Sequence, residues 1–174
     1  MNLTIRQENK EDFAAVYEIN QLAFKRDNEA RLVELLRQGN TFIPELSLVA
    51  TIDDKPVGHI LFTQIKIVAA DNTETTSLAL APMAVLPGFQ GKGIGGRLIL
   101  HGFELARKLN QKSVIVLGHK LFYRKFGFTA AAKWNINPPF PVNDPENFMA
   151  VELTDGGLNN ISGLVKYPKE FEAV

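Results

Sequence analysis

Residues 89–99 read FQGKGIGGRLI. Gly91, Gly93 and Gly96 satisfy G-x-G-x-x-G, the spacing of a dinucleotide-binding loop, between an apolar strand-like run and an amphipathic helix. A dinucleotide site also needs an acidic residue for the ribose at the end of the following strand. Here that strand ends Leu117-Gly118-His119, with no carboxylate. The loop lies mid-chain, behind what read as antiparallel hairpins rather than a parallel start. It is not a P-loop, because Lys92 is followed by Gly93 and not by Ser or Thr. Counted from Gln90, the same residues spell Q-x-x-G-x-G with Gln90, Gly93 and Gly95, thickened by Gly91 and Gly96. Successive backbone N–H groups at a helix start, aided by the helix dipole, make an anion site. Missing side chains let a pyrophosphate approach the backbone. Lys92 and Arg97 add positive charge. The plain alternative is a glycine-rich turn that only starts a helix.

Working outward, residues 2–6 read as a strand. Asp12 is placed to cap a helix over 12–24, with Phe13, Val16, Tyr17 and Phe24 near helical spacing. Asn28 is placed to cap NEARLVELLRQ, which Gly39 ends. The period then changes to two. Strands are predicted at 47–52, 57–67 and 76–85, with DDKP as the first turn. Pro82 interrupts the third, because proline donates nothing to a ladder, so an edge or a bulge is expected there. A helix over 94–110 turns Ile94, Leu98, Leu105 and Leu109 inward. SVIVL, 113–117, is a strand fit for burial on both faces. HKLFYRKFGF reads as a short helix leading into a strand. Residues 131–147 form a long loop carrying Pro138, Pro139, Pro141 and Pro145, then come a strand over 147–153 and a strand-like tail containing LVKY. This order is α+β: a mixed sheet with helices on its faces.

The 174 residues suggest one domain, 1–174. Hydrophobic residues make up 45% and charged residues 22%, enough for a sizeable core. Lys plus Arg equals Asp plus Glu at 19 each, which argues against a dedicated nucleic-acid binder. The absence of cysteine excludes disulfides, thiol catalysis and thiolate metal sites. His59, His101 and His119 lack metal-ligand spacing, so no metal is expected. With no apolar run of membrane-spanning length and no secretory pattern at the N-terminus, a cytoplasmic protein without a membrane partner is expected.

The Q-x-x-G-x-G loop at a strand-to-helix junction resembles the acetyl-CoA signature of the GNAT superfamily of N-acetyltransferases. Strand 78–85 with VLPGFQGKGIGG, helix 95–110, strand 113–117 and FYRKFGF follow that superfamily's order. LAPMAVLPGFQGKGIG and LGHKLFYRKFGF look most like its YhbS-like branch, and the resemblance covers at least residues 2–153. It implies the GNAT acyl-CoA N-acyltransferase fold, a mostly antiparallel mixed sheet with helices on both faces. It also implies acetyl-CoA as cosubstrate, an amine acceptor and direct attack on the thioester. The family often forms homodimers.

The resemblance implies roles residue by residue. Two central strands splay apart in the family, and pantetheine pairs with the backbone of the first; here that is Met83, Ala84 and Val85. Their side chains are expected in the core. Gln90, Gly91, Lys92, Gly93, Ile94, Gly95, Gly96 and Arg97 hold the pyrophosphate. A backbone N–H near Met83 polarises the thioester carbonyl. Tyr123 matches the family tyrosine that protonates the departing CoA thiolate or hydrogen-bonds its sulfur; by spacing alone it is an aromatic in a packed F-Y-x-x-F-G-F cluster. Phe122, Phe126 and Phe128 read as core.

The base is open. An amine must lose a proton before attack, and many family members use a glutamate on the strand before the loop, where TSLALAPMAV has no acid. Glu29 starts the second helix; it also reads as a solvated first-turn carboxylate. His119 follows Leu117 and titrates in the right range; it also reads as a solvent-facing helix start. His59 shares a strand face with Leu61 and Ile65 and reads as a satisfied, partly buried histidine. A water chain is the fourth reading. In the long loop, Trp134 and Phe140 either wall an acceptor pocket or pack on the body. Asp144 and Glu146 either attract a cationic acceptor or are plain loop charges. The missing strand glutamate supports a rival, an acetyl-CoA-binding sensor or scaffold without turnover; an NAD-linked oxidoreductase is the third reading.

Overall fold

Period-two patterning over 47–85 produces the three strands it predicts, and the rest of the sheet grows around them. The computed structural model describes residues 2–174. In chain order these form β1 (Leu3–Gln7), α1 (Phe13–Phe24), α2 (Asn28–Gln38), β2 (Ser47–Ile52), β3 (Lys55–Val68) and β4 (Glu74–Val85). There follow α3 (Ile94–Lys108), β5 (Ser113–Leu117), α4 (Lys120–Tyr123), β6 (Thr129–Ala130), β7 (Ile136–Asn137), β8 (Phe148–Glu152) and β9 (Gly163–Lys166). The sheet order is β1-β2-β3-β4-β5-β8-β6, and β9 pairs with β3 and β7. The pairs β1–β2, β2–β3, β3–β9, β5–β8 and β6–β8 are antiparallel, whereas β4–β5 and β7–β9 are parallel. This is the α+β mixed sheet expected. No helix among the described residues is long and apolar enough to cross a membrane.

The chain divides into two compact units. The first comprises residues 1–63, 81–105 and 169–174. Its core joins Val16, Leu32, Val33 and Leu36 of α1 and α2 to Val49 and Leu61 of the strands, with Phe171 and Val174 of the tail packed against them. The β2–β3 turn uses Asp53 (φ 49°) and Asp54 (φ 65°), two left-handed residues of the kind a two-residue hairpin needs. Asp12 stands at the N-cap position of α1 but makes no side-chain cap bond. Asn9 caps the preceding 3-10 turn, and Asp12 answers from the other side of that capping box while pairing with Arg6. Asn28 does not cap α2 either: it is the first helical residue, and the flanking Asp27 makes no cap bond. Gly39 ends α2 in extended conformation, φ −85°, so no left-handed cap requires it.

Helix α3 turns Ile94 and Leu98 inward as expected, but not Leu105 and Leu109. Ile94, Leu98, Ile99 and Phe103 are buried, while Leu105 is half-buried and Leu109, beyond the last turn, is exposed. Two glycines set this orientation. A Cβ on Gly58 of β3 would lie 3.2 Å from Leu98 and 3.3 Å from Ile94. A Cβ on Gly102 would lie 2.2 Å from the ring of Phe62. Helix and strand therefore approach more closely than ordinary side chains permit.

The second unit comprises residues 64–80 and 106–168. Its core collects Ile65, Ile67, Ile115, Ile136, Phe148, Leu158 and Val165. Much of the predicted loop 131–147 is ordered: a 3-10 turn at Ala131–Trp134, β7, and a second turn at Pro145–Asn147. The tail strand is real: β9 places Val165 opposite Ile67 of β3. Pro82 is not on an edge strand, because β4 lies inside the sheet order. The β4–β5 ladder runs only through Leu78↔Val114 and Ala79↔Ile115, and the cis Ala81–Pro82 bond follows it. The missing proline N–H therefore falls outside the β4–β5 ladder.

Candidate functional site

In the first unit, β4 leads into the glycine loop through a 3-10 turn, Pro87–Phe89, anchored where the Leu86 N–H donates to the Val57 carbonyl at 2.9 Å. The Gln90 side chain does not point away from the chain. Its Nε2 donates to the Val85 carbonyl at 2.9 Å and ties the loop to the end of β4. Gly91 (φ 76°) and Gly93 (φ 80°) are left-handed, and a Cβ on either would meet nothing within 4 Å. Their requirement is thus conformational, and the space beside them is open. The first bond into α3 is Arg97 N–H to Gly93 O at 3.1 Å. The N–H groups of Ile94, Gly95 and Gly96 precede it and have no intrahelical acceptor. Ile94 itself is buried, so it anchors the helix while its amide stays at the N-terminus. Lys92 holds its ammonium 5.3 Å from the Phe89 ring centre, and Lys92 and Arg97 are exposed. The arrangement is a preorganised anion cradle: free amides, two left-handed glycines and two cations.

Along Met83–Val85 the alternation corrects the expected burial. Ala84 is buried, whereas Met83 and Val85 are half-exposed and not core. Pro82 and Ala84 take the buried positions, and period two turns Met83 and Val85 the other way.

Glu29, also in this unit, is committed elsewhere. Both of its carboxylate oxygens accept from Arg26, at 3.0 Å from Nε and in a closer contact from Nη2. Its place at the start of α2 survives, with Arg26 occupying both oxygens. His59 is completely buried rather than partly so. Its Nε2 lies 3.0 Å from Ser47 Oγ, and that hydroxyl donates to Glu8 at 2.6 Å. The single hydroxyl proton being used, Nε2 must carry the imidazole proton, and Nδ1 has no partner among the described residues. Glu8 also takes Arg37 in a fork at 3.0 and 2.8 Å. Burial pushes His59 down to about 4. Arg37, His59 and Ser47 together outweigh burial at Glu8 and hold its carboxyl below the usual range.

His119 and Tyr123 lie in the second unit. His119 starts α4, is exposed and makes no cap bond through its ring. Tyr123 is half-buried. Its ring stands edge-on to Phe122 at 5.0 Å and to Phe128 at 5.6 Å, and lies so close to Gly118 that a Cβ there would be 2.5 Å away. Burial pushes its phenol up to about 12, so it stays a donor throughout the neutral range. Of the neighbouring phenylalanines, Phe128 is core, while Phe122 and Phe126 are only half-buried. Gly127 (φ 91°) ends the segment in a turn that needs glycine.

The long loop packs on the body. Phe140 stacks on Tyr167 at 5.8 Å and meets Phe148 edge-on, and Trp134 lies against the core. Asp144 and Glu146 pair with Lys120 and Arg124. Sequence reading missed three supports: the Gln90 side-chain tie, Gly118 under the tyrosine, and the pairing of 144–147 with α4. Only Gly118, in its Leu-Gly-His context, carried a local signal.

Comparison with known proteins assigns the class. The family model for the acetyltransferase (GNAT) domain matches residues 44–130. The N-acetyltransferase YjhQ of Escherichia coli, described as uncharacterized, is 37% identical over 150 residues, covering 86% of this chain and 81% of its own. The chain belongs to the GNAT N-acetyltransferase family. Its backbone is also similar to a crystal structure of E. coli YhbS in complex with CoA: TM-score 0.90, 28% identity, 99% of this chain and 93% of that one. A GNAT acetyltransferase from Brucella melitensis solved with acetyl-CoA gives TM-score 0.79 at 29% identity, covering 98% of both chains.

Proposed function

We propose that the protein transfers the acetyl group of acetyl-CoA to an amine by direct attack on the thioester. The observation that carries this reading is the loop 90–97: left-handed Gly91 and Gly93 beside open space, with the free amides of the α3 start. Those amides, with Lys92 and Arg97, fit a pyrophosphate. Met83, Ala84 and Val85 offer extended backbone for pantetheine, and the half-exposed Met83 and Val85 line it. The two relatives solved with CoA and acetyl-CoA support the same ligand here.

The thioester supplies an activated acyl carbon. A C–N bond forms to the amine, the C–S bond breaks, and the ammonium proton leaves. Tyr123 serves the leaving sulfur. A phenol near 12 is a weaker acid than an alkyl thiol, at about 8.5, so full proton transfer to the thiolate is uphill. Its role is therefore to donate a hydrogen bond to sulfur as charge develops. With Glu29 held by Arg26, the amine proton goes to His119 or to water. The experiment is acetyl-CoA consumption against a panel of primary amines, with Tyr123→Phe beside the wild type. Acetyl-CoA binding without consumption by any amine would convert the reading into that of a sensor module.

A further inference from the structure

We propose that segment 144–147 is a brace that holds the helix carrying Tyr123 in its working position, with Lys120 and Asn147 as positioning residues. The inference rests on the catalytic reading of Tyr123. Helix α4 has four residues, followed by a 3-10 turn at Arg124–Phe126. Helices this short have no stability of their own in water. Something outside must fix it, and Asn147 does so at the backbone. The Gly118 N–H donates to the Asn147 carbonyl at 3.0 Å, and the Lys120 N–H donates to its Oδ1 at 3.3 Å. Asn147 thus replaces the side-chain cap that His119 does not provide.

The side chains add a second layer. Lys120 Nζ donates to Asp144 Oδ2 at 3.0 Å and to Glu146 Oε2 at 2.6 Å, and Arg124 Nη2 donates to Glu146 Oε1 at 3.1 Å. Two cations and two carboxylates form one chain of ion pairs. An isolated exposed pair contributes little, but a network with shared members holds geometry better. The brace is itself preorganised: Asp144 accepts from the Glu146 N–H at 3.0 Å, and its carbonyl accepts from the Asn147 N–H at 2.9 Å. The contact that matters lies just before α4. Gly118 lies against the Tyr123 ring, so a shift at residues 118–120 moves the floor beneath the phenol.

The test measures kcat and KM for Lys120→Met and Lys120→Arg, in the wild-type and Tyr123→Phe backgrounds, at low and high salt. Lys120→Met should lower kcat about tenfold while KM for acetyl-CoA moves by less than about twofold, because a small misplacement of a reacting group is costly. Lys120→Arg should restore most of the loss. High salt should lower wild-type kcat and leave Lys120→Met nearly unchanged. In the Tyr123→Phe background the Lys120 substitution should have almost no effect. Equal losses in both backgrounds, or an unchanged kcat, would overturn the brace. A harmless Tyr123→Phe would instead overturn the catalytic reading, and the brace with it. A fully Tyr123-dependent enzyme indifferent to Lys120 overturns the brace alone. Asn147→Ala, checked for folding by thermal melt, should lower kcat in the same direction and keep the salt response, because the ion pairs remain.

Discussion

The glycine loop and the tyrosine segment are built by opposite means. In residues 90–97 the parts proposed to bind are backbone groups, placed by two left-handed glycines and a helix start. In residues 118–128 the part proposed to act is one side chain, Tyr123, held by neighbouring rings and the close approach of Gly118, with Asn147 bonded to the start of α4. The loop is locally encoded. The tyrosine is encoded by tertiary contacts. Substitutions in the first should damage binding, and those in the second should damage turnover.

The largest effect should come from Tyr123→Phe. Loss of the hydrogen bond to sulfur should cut kcat roughly a hundredfold and leave the calorimetric Kd for acetyl-CoA unchanged. Gly93→Ala should do the reverse. A left-handed alanine costs about 1–2 kcal/mol, so affinity for acetyl-CoA should fall about tenfold while kcat at saturation holds. Gly118→Ala forces a methyl into the Tyr123 ring and should lower kcat several-fold, with a stability loss of about 1–3 kcal/mol in urea. If it weakened acetyl-CoA binding instead, the division between the two regions would be wrong.

A smaller effect is acid sensitivity outside both regions. The His59 imidazole falls from 6.5 to about 4 on folding, so the unfolded chain binds the extra proton between those values. Stability should therefore decline as pH drops from 6.5 toward 4. Glu8, held below its ordinary value of 4.5, adds stability above that value which is lost as pH falls through its folded value. Urea melts of wild type and His59→Asn across that range check the sign: the variant should show the flatter slope. The smallest effect is Glu29→Gln, expected to change kcat by less than about twofold because its carboxylate serves Arg26. A large loss would restore Glu29 as the base.

The contrast also explains what was readable in advance. Strands β2 to β4, the loop and α3 follow from period and glycine placement, which are local properties. Gly91 and Gly93 adopt the positive φ that makes glycine informative in a sequence. The partly misread face of α3 depends on Gly102 meeting Phe62, forty residues away. Asp12 holds the expected N-cap position without a cap bond, because its carboxylate serves Arg6 and the Asn9 N–H instead. Glu29 reads as free only until Arg26 is placed beside it. Asn147 and Lys120 were invisible, since nothing local pairs residues 27 positions apart.

The most direct test of the account is an amide NMR titration of the protein with acetyl-CoA. The account predicts saturable shifts concentrated at Gly91–Arg97 and Met83–Val85, with the amides of Ile94, Gly95 and Gly96 moving furthest as they take the pyrophosphate. Saturable binding that leaves those three amides unmoved, or no binding at all, would contradict it.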